Sequence, residues 1–332
     1  MRRADYSNRE SLTAMKLIIT IDTEEDEWGK YSVAGHSVEN IKKVPALQRL
    51  FDEFNVKPTY LVAHTVCEDD SAVEILNGIM DKGGCEIGAH CHPWNTPPFE
   101  EELTVYNSML CNLPPRLQYL KMQSLDETIK KKFGVKPVSF RCGRWGYSSE
   151  VAENLLKLGY KVDTSIASYT DWSEYNGPDF SSTPPLAYRF DAKEILTARP
   201  SGALVEVPAT VGFLQRRFSF TNSIIKAVSR PPLSTLRLKG LLWRLNLVNK
   251  VWLSPEYHNA ATMIRLVRRM KENNLGFLNM TFHSPCLVPE LTPFVRTAED
   301  ARAFISNIRE FLSFTQDEGI ESIKLSEATR HI

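Results

Sequence analysis

Two short stretches of the sequence hold the residue types that bind metal ions. The first is the acidic stretch Asp22–Asp26, and the second is His90-Cys91-His92; each directly follows an apolar run. Side chains at positions i and i+2 of a strand point to the same side, so His90 and His92 can bind one ion together. Two histidines and a carboxylate leave coordination positions for water and substrate. An ion held in this way acidifies water and polarises a carbonyl group, which is the chemistry of hydrolysis.

Other titratable residues follow apolar runs in the same way. Asp22 and Glu24 lie at positions i and i+2, so one can ligate the ion while the other removes a proton from water. His283 follows a run near the C-terminus and can protonate a leaving group. Arg141 follows a run in the middle of the chain and can hold the proton acceptor ionised. Each residue alone has an ordinary structural explanation, but their shared placement indicates one active site.

Short apolar runs alternate with segments of helical periodicity along most of the chain. Strands are predicted at Lys16–Ile21, Pro58–Ala63, Cys85–Ala89, Val138–Phe140, Tyr160–Asp163, Gly276–Phe282 and Ser322–Leu325. Helices are predicted at Val38–Phe54, Ser71–Lys82, Leu117–Phe133, Ser149–Leu158, His258–Asn273 and Ala298–Phe314. This alternation implies an α/β fold of parallel strands covered by helices, and the strand number favours a barrel, complete or not, over an open sheet. The carboxyl ends of barrel strands carry the chemistry of such folds.

The segment from about residue 171 to residue 252 breaks the alternation. It is rich in Pro, Ser, aromatic residues and Arg/Lys, and we expect an insertion that partly covers one face. Strands are expected within it at Ala187–Phe190 and Leu204–Pro208. Residues 1–14 are polar and without pattern, so we expect a disordered extension there and a single domain over residues 15–332.

The composition excludes several classes of protein. The 332 residues carry 40 Lys+Arg and 40 Asp+Glu, so no basic excess indicates a nucleic-acid partner. No window approaches the ~20 apolar residues of a membrane span. We see no signal peptide, and the six cysteines form no C-x-x-C pair, so we expect a cytoplasmic protein with free thiols. A homo-oligomer stays open.

Aromatic and sulfur-containing residues within the motifs have two interpretations each. Four tryptophans follow the motifs: Trp28, Trp94, Trp145 and Trp172. Their rings can pack on sugar rings or in the core, and neither is favoured. Three cysteines lie inside the motifs: Cys91, Cys142 and Cys286. They are soft ligands that would favour zinc or small packing residues, and the alternation of Cys91 away from its flanking histidines favours packing.

At these residues the sequence resembles the polysaccharide deacetylase (NodB-homology) superfamily of carbohydrate esterases. The resemblance runs from about Lys16 to the C-terminus, is weakest in the insertion, and is that of an intracellular branch with altered motifs. It implies a distorted (β/α) barrel and metal-dependent removal of acetyl groups from N-acetyl sugars. Asp22 matches the catalytic base of the first motif. Thr23 stands where the usual ligand aspartate would be, so the ligand role passes to Glu24, with Glu25 or Asp26 as alternatives.

The second motif of the superfamily spaces two histidines at positions i and i+4. His90 matches the first histidine, but Trp94 occupies the i+4 position, so His92 is the replacement ligand. Arg141 matches the arginine of the third motif, which holds the base. His283 matches the histidine of the late motif, the general acid.

The residues after Arg141 depart from the superfamily pattern. Gly143-Arg144-Trp145-Gly146 replaces the usual proline and tyrosine. Arg144 and Trp145, together with Trp94, are our candidates for binding the substrate.

The expected function is hydrolysis of an N-acetyl group on a saccharide, with a divalent metal ion and zinc as the first choice. A nucleotide- or lipid-linked sugar of surface-polysaccharide biosynthesis suits a cytoplasmic chain better than an extracellular polymer. Two alternatives stay open: a metal hydrolase of another amide or a phosphoester, and a non-catalytic saccharide-binding barrel. The common amidohydrolase barrels place H-x-H after the first strand, whereas here it follows the third.

Overall fold

The computed structural model describes residues 14–231 and 238–332, and these residues form strands and helices in alternation. The strands are β1 Lys16–Thr23, β2 Thr59–Val62, β3 Glu86–Cys91, β4 Ser139–Cys142, β5 Val162–Asp163, β6 Tyr188–Phe190, β7 Leu204–Glu206, β8 Val211–Phe213, β9 Lys250–Trp252, β10 Phe277–His283 and β11 Glu321–Ser322. The helices are α1 Val44–Glu53, α2 His64–Glu68, α3 Asp70–Met80, α4 Pro115–Phe133, α5 Ser149–Leu158, α6 Phe218–Val228, α7 Leu238–Arg244, α8 Ala260–Glu272 and α9 Ala298–Asp317.

A nine-stranded sheet in the described residues has the order β10-β1-β2-β3-β4-β5-β7-β6, with β11 paired to the start of β1. Every pair from β10 to β7 is parallel, and only β6 runs antiparallel to its neighbour. Parallel strands leave all their carboxyl ends at one edge. Side chains that follow different strands therefore meet there.

Hydrogen bonds near Asn279 link the end of β7 back to β10 and curl the sheet into a barrel. The Thr210 amide donates to the Asn279 carbonyl at 3.2 Å, and the Asn279 amide donates to Thr210 Oγ1 at 2.9 Å. Asn279 Nδ2 also donates to the Val207 carbonyl at 3.1 Å. A side chain thus completes a junction that the backbone ladder does not reach.

The sequence explains where several helices begin and end. α4 ends at Gly134 with φ of 66°, and α5 ends at Gly159 with φ of 83°, which are left-handed conformations that favour glycine. The Ser148 hydroxyl caps the first turn of α5 by accepting from the Val151 amide. Apolar side chains on the inner faces of these helices are buried against the sheet.

Some predicted elements differ in the structure. The helix predicted at Val38–Phe54 is a 3-10 helix, Glu39–Lys43, followed by α1. Pro45 lies in the first turn of α1, where it has no amide hydrogen to continue a preceding helix, so one long α-helix does not form. The last predicted strand, Ser322–Leu325, is shorter and lies at Glu321–Ser322. Apolar periodicity did not predict α2.

The segment predicted as an insertion at 171–252 contributes to the main sheet as well. Its two expected strands are found as β6 and β7, and β7 pairs in parallel with β5. The rest includes α6, α7 and the antiparallel strand pair β8–β9, none of which was predicted. The extension predicted at 1–14 lies outside the described residues except for Ala14, and the single domain over 15–332 stays a prediction.

Candidate active site

The predicted catalytic and metal-binding residues lie at the carboxyl ends of neighbouring strands. Asp22 lies near the end of β1, directly opposite His283 at the end of β10. His90 lies near the end of β3 directly opposite Arg141 on β4. The parallel register therefore gives two pairs of residues that are distant in the sequence, and the ion pair between Arg141 and Asp22 joins them.

Glu24, His90 and His92 form the one group among the described residues whose ligand atoms could hold a metal ion. Their candidate ligand atoms all lie within 4.8 Å of one another. Glu24 Oε2 is 2.8 Å from His92 Nε2 and 3.4 Å from His90 Nε2. All three residues are buried. Burial alone would raise the pKa of Glu24, but the two adjacent histidines lower it, so this carboxylate is ionised.

His90 is held in the tautomer that can bind a metal. Its Nδ1 lies 3.2 Å from the carbonyl oxygen of Arg141. A carbonyl can only accept, so Nδ1 carries a proton, and in the neutral ring the lone pair is then on Nε2. That Nε2 atom is buried and has no hydrogen-bond partner in the described residues. A buried nitrogen that has no hydrogen-bond partner and lies next to an ionised carboxylate is typical of a metal ligand.

His92 is fixed by the residues packed on its ring. Trp94 stacks on it with ring centroids 4.0 Å apart and a tilt of 33°. The backbone of Gly143 also lies against the imidazole, and a Cβ there would come within 2.1 Å of Nδ1. Burial, and the adjacent His90, lower the pKa of His92 despite the opposing effect of Glu24. The ring is therefore neutral, which is the form that ligates.

Arg141 holds the Asp22 carboxylate from beneath the pocket. Its Nη1 donates to Asp22 Oδ1 at 2.5 Å. The remaining guanidinium hydrogens are satisfied by three threonines on neighbouring strands: Thr20, Thr164 and Thr281. Burial raises the pKa of Asp22, but the charge of Arg141, followed by those of His90 and His283, outweighs it and lowers the pKa. The base is thus ionised and fixed in orientation.

His283 is paired with Glu256, a residue that sequence reasoning missed. Glu256 Oε1 lies 2.9 Å from His283 Nδ1 and also accepts from the His283 amide at 2.7 Å. The other ring nitrogen faces the site, with Nε2 3.6 Å from Asp22 Oδ2. Burial alone would lower the pKa of His283, but Glu256, with Glu24 and Asp22, raises it to about 10. The imidazole is therefore protonated at neutral pH.

A cavity of about 440 Å³ opens over these residues. Its walls are largely aromatic: Trp28, Tyr31, Trp94, Trp145, Trp172, Tyr175 and Tyr257. Arg144 lines the same cavity, with its guanidinium carbon 5.4 Å from the centre of the Tyr31 ring. Arg144 and Trp145 both have left-handed backbone conformations, with φ of 54° and 61°. Strain of this kind at a pocket edge is typical of functional sites.

The cysteines of the motifs are packing residues. Cys91 is fully buried in the core, and burial raises the pKa of its thiol to about 12. Burial also raises the pKa of Cys142. Cys286 lies 3.2 Å from Glu256 Oε1, and its hydrogen bond supports that carboxylate. No cysteine belongs to the candidate ligand group in the described part of the chain.

Solved structures resemble this fold, whereas no protein-family model and no curated protein matches the sequence. A Mycobacterium smegmatis protein assigned as a polysaccharide deacetylase covers 100% of this chain and 94% of its own, at 14% identity and a TM-score of 0.56. A Parabacteroides distasonis protein assigned as a glycoside hydrolase/deacetylase covers 96% and 71%, at 13% identity and a TM-score of 0.59. A 4-alpha-glucanotransferase of Thermococcus litoralis covers 96% but only 40% of its own chain, at 10% identity and a TM-score of 0.55.

The chain has the fold of the polysaccharide deacetylases. The α/β class and the distorted (β/α) barrel expected from the sequence are therefore confirmed. At such low identity the likeness concerns the fold, and the roles of individual residues rest on the geometry described above.

Within this deacetylase fold, the alternative ligands Glu25 and Asp26 have other partners. Glu25 accepts from Trp94 Nε1 at 2.9 Å and from Asn95 Nδ2 at 2.8 Å. Asp26 accepts from the amide and side chain of Asn40 at 3.1 and 2.6 Å. Both carboxylates anchor the loops around the site and lie outside the candidate ligand group, which favours Glu24 as the acidic ligand.

Glu256 lies in the part of the chain where strand and helix patterns are weakest. The composition of the sequence does single out Glu256. Residues 207–255 contain no Asp or Glu, and Glu256 is the first acidic residue after these 49. Gly143 was named only as a departure from a motif. Its contact with His92 depends on the packing of β4 beside β3, which the sequence pattern does not reveal.

Proposed function

We propose that this chain is a metal-dependent hydrolase that removes an N-acetyl group from a saccharide. One observation carries the proposal: the buried, unpartnered Nε2 of His90 adjoins an ionised Glu24, between an aspartate–arginine pair and a histidine–glutamate pair. The fold similarity to deacetylases is consistent with this assignment.

Glu24, His90 and His92 would hold the divalent ion, and their donor set of two nitrogens and one carboxylate oxygen suits zinc. When bound, such an ion would lower the pKa of a water molecule and polarise the acetyl carbonyl. Zinc is therefore the first metal to test. Glu24 is an ionised carboxylate and His92 a neutral imidazole, and binding through His92 Nε2 would release the hydrogen that this atom shares with Glu24.

Asp22 would act as the general base. Its pKa is lowered and its Oδ1 is held by Arg141, so Oδ2 is the free oxygen that can take a proton from the attacking water. Fixing the carboxylate with a fully hydrogen-bonded arginine keeps this oxygen aimed at the cavity.

His283 would act as the general acid. Its Nδ1 is committed to Glu256, which leaves the proton on Nε2 to pass to the departing amine. Trp28 packs edge-on against the imidazole at 4.7 Å and shields it from bulk water. Base and acid then face the same point, with Asp22 Oδ2 and His283 Nε2 3.6 Å apart.

The cavity walls support a saccharide substrate joined to a phosphate. Trp145 and Trp172 present nearly parallel rings, 5° apart in tilt, of the type that packs on sugar faces. Arg144 Nη1 donates to the Ser108 hydroxyl, but no carboxylate of the described residues forms an ion pair with Arg144, so its positive charge could attract a phosphate. A nucleotide- or lipid-linked N-acetyl sugar combines both features, and we propose this class as the substrate.

Two measurements test the proposal. Elemental analysis of the purified chain should find about one divalent ion per chain, and acetate should be released from soluble N-acetyl sugars and their phosphate-linked derivatives. Asp22→Asn should abolish acetate release, and circular dichroism should show that the variant is folded. Wild-type turnover by Asp22→Asn would refute the mechanism.

The two other functions give different results in the same assays. Turnover of phosphate esters without acetate release would support a phosphoesterase. Equal saccharide binding by metal-free and metal-loaded chain, without turnover, would support a binding protein.

A further inference from the structure

Five large apolar side chains are exposed on and around α6 and α7. These residues, here called the α6–α7 patch, are Phe220, Leu241, Trp243, Leu245 and Leu247. Their exposed fractions run from 52% for Leu241 to 63% for Phe220 and Trp243. Four of them lie within seven consecutive residues. Exposed apolar residues are ordinary when scattered, but clustering of this kind marks an interaction surface.

The same segment is strongly basic, although the chain as a whole is neutral. Residues 207–255 contain eight Lys/Arg and no Asp/Glu. Three of these arginines, Arg217, Arg230 and Arg244, have exposed side chains. Within the described residues, no carboxylate forms an ion pair with any of the three. The patch therefore combines uncompensated positive charge with apolar surface.

We propose that the α6–α7 patch docks on the surface of an anionic phospholipid bilayer. Phosphate head groups attract the arginines, and the leucines and Trp243 enter the boundary between head groups and acyl chains. Tryptophan is suited to that boundary because its ring is apolar and its N–H is polar. In the described residues no helix is long and apolar enough to cross a membrane.

The chemistry of the patch favours a bilayer over the other partners. The phosphates of a nucleic acid would satisfy the arginines but leave the leucines exposed to water. A second copy of the same basic surface would be repelled by its own charge. A lipid bilayer matches both features of the patch, because its anionic head groups lie directly above its apolar acyl chains.

The patch is connected to the cavity through a short stretch of chain. Trp252 follows Leu247 by five residues and packs against both Trp145 and Trp172, with ring centroids 5.8 and 6.3 Å apart. Those two tryptophans line the cavity. Docking would thus hold the cavity wall close to the membrane. The docking itself goes beyond the proposed hydrolysis and does not depend on it.

Co-sedimentation of the full chain with lipid vesicles tests the proposal. We expect binding to vesicles of phosphatidylcholine mixed with phosphatidylglycerol, little binding to phosphatidylcholine alone, and loss of binding in high salt. Neutralising each of Arg217, Arg230 and Arg244 with glutamine should weaken the partition about fivefold per arginine. The double variant Trp243→Ser, Leu247→Ser should weaken it about tenfold.

Matched controls are available outside the patch. Leu196→Ser removes a leucine that is 50% exposed, and Arg302→Gln removes an exposed arginine of α9; neither should change vesicle binding. Circular dichroism melts establish that every variant is folded. The proposal would be overturned if the folded parent chain did not bind vesicles that contain phosphatidylglycerol. It would also be overturned if the patch variants bound these vesicles as well as the parent. A dimer by light scattering that the patch variants dissociate would overturn it as well, because the patch would then contact a second copy.

Discussion

Gly143 lies so close to the imidazole of His92 that its Cα has room for a hydrogen atom on that side but not for a side chain. A Cβ built on Gly143 would come within 2.1 Å of His92 Nδ1 and 2.6 Å of its Cε1. Trp94 and His90 also pack on this ring, with centroids 4.0 and 4.4 Å away, and restrict its movement. The glycine is therefore required by the position of a candidate ligand rather than by its own backbone conformation.

Gly143→Ala should displace His92 and weaken metal binding. We expect a 10- to 100-fold loss of affinity, the range typical for disturbed support of metal ligands. Competition with a chromogenic chelator would measure the loss directly. Gly78→Ala is the matched control, because Gly78 lies within α3 with nothing within 4 Å of a Cβ. That substitution should leave affinity unchanged and raise helix stability by up to ~1 kcal/mol. Equal affinity in both variants would contradict the role of Gly143.

The predictability of the site from sequence depended on whether a residue follows a regular strand. Asp22, His90, Arg141 and His283 could be placed together because strand ends converge in a parallel barrel. No comparable rule predicts which side chains of irregular segments contact one another. Glu256 reaches His283 from a loop between β9 and α8, and only the folded chain brings the two together.

The secondary structure of the fold was likewise predictable only where a segment has a regular apolar pattern. Apolar periodicity located β1, β3 and β10, whose register fixes the site. It missed α6 and α7, where apolar residues face outward as well as inward and no one-sided pattern results. The junction at Asn279, which closes the barrel, could not be predicted from the sequence either, because it includes a side-chain amide that donates to the Val207 carbonyl.

Lys121→Met should destabilise the loop that follows the histidine motif. The Lys121 ammonium is fully buried and donates to the carbonyls of Pro93, Thr96 and Pro98, and it pairs with Glu101 at 2.8 Å. Methionine fills the space but leaves these groups without a donor. Loss of about 3 to 5 kcal/mol in unfolding free energy is expected, the usual cost of leaving a buried partner unpaired.

Urea denaturation measures this loss, and Lys132→Met serves as its control. Lys132 pairs with Asp70, whose side chain is 91% exposed, so that variant should change stability by less than ~1 kcal/mol. A small effect at Lys121 would mean that the loop finds water in place of the ammonium group.

Glu256→Gln should return the pKa of His283 toward its ordinary value. In the metal-free chain the folded-state pKa of His283 is raised to about 10, so its charge stabilises the fold fully below about pH 6.5. That contribution is lost as the pH rises through 10. Removing the Glu256 charge should lower the His283 pKa and shrink the difference in stability between pH 7 and pH 10.5.

Proton NMR of the imidazole resonances, assigned with His283→Gln, would follow this titration. Glu256→Asp should keep part of the raised pKa because it retains the charge. A His283 pKa that is the same in the parent and in Glu256→Gln would show that Asp22 and Glu24 hold the proton without Glu256.

Glu206→Gln should stabilise the chain above neutral pH. Asp163 and Glu206 lie directly opposite each other on β5 and β7, and both are completely buried. Burial raises the pKa of Asp163 to about 6 and raises the pKa of Glu206 further, with the Asp163 charge adding to it. Because both values are raised, the pair stabilises the fold in acid and loses that contribution as the pH rises through 6 and beyond.

Glutamine keeps the hydrogen-bonding shape of a protonated Glu206 but has no proton to lose. The parent chain should therefore lose more stability than Glu206→Gln between pH 5 and pH 8, by on the order of 1 kcal/mol. Urea midpoints at the two pH values measure the difference, and Glu299→Gln on the exposed first turn of α9 is the control. Parallel pH dependence in the parent and Glu206→Gln would mean that Glu206 remains protonated throughout this range and that another group accounts for the loss.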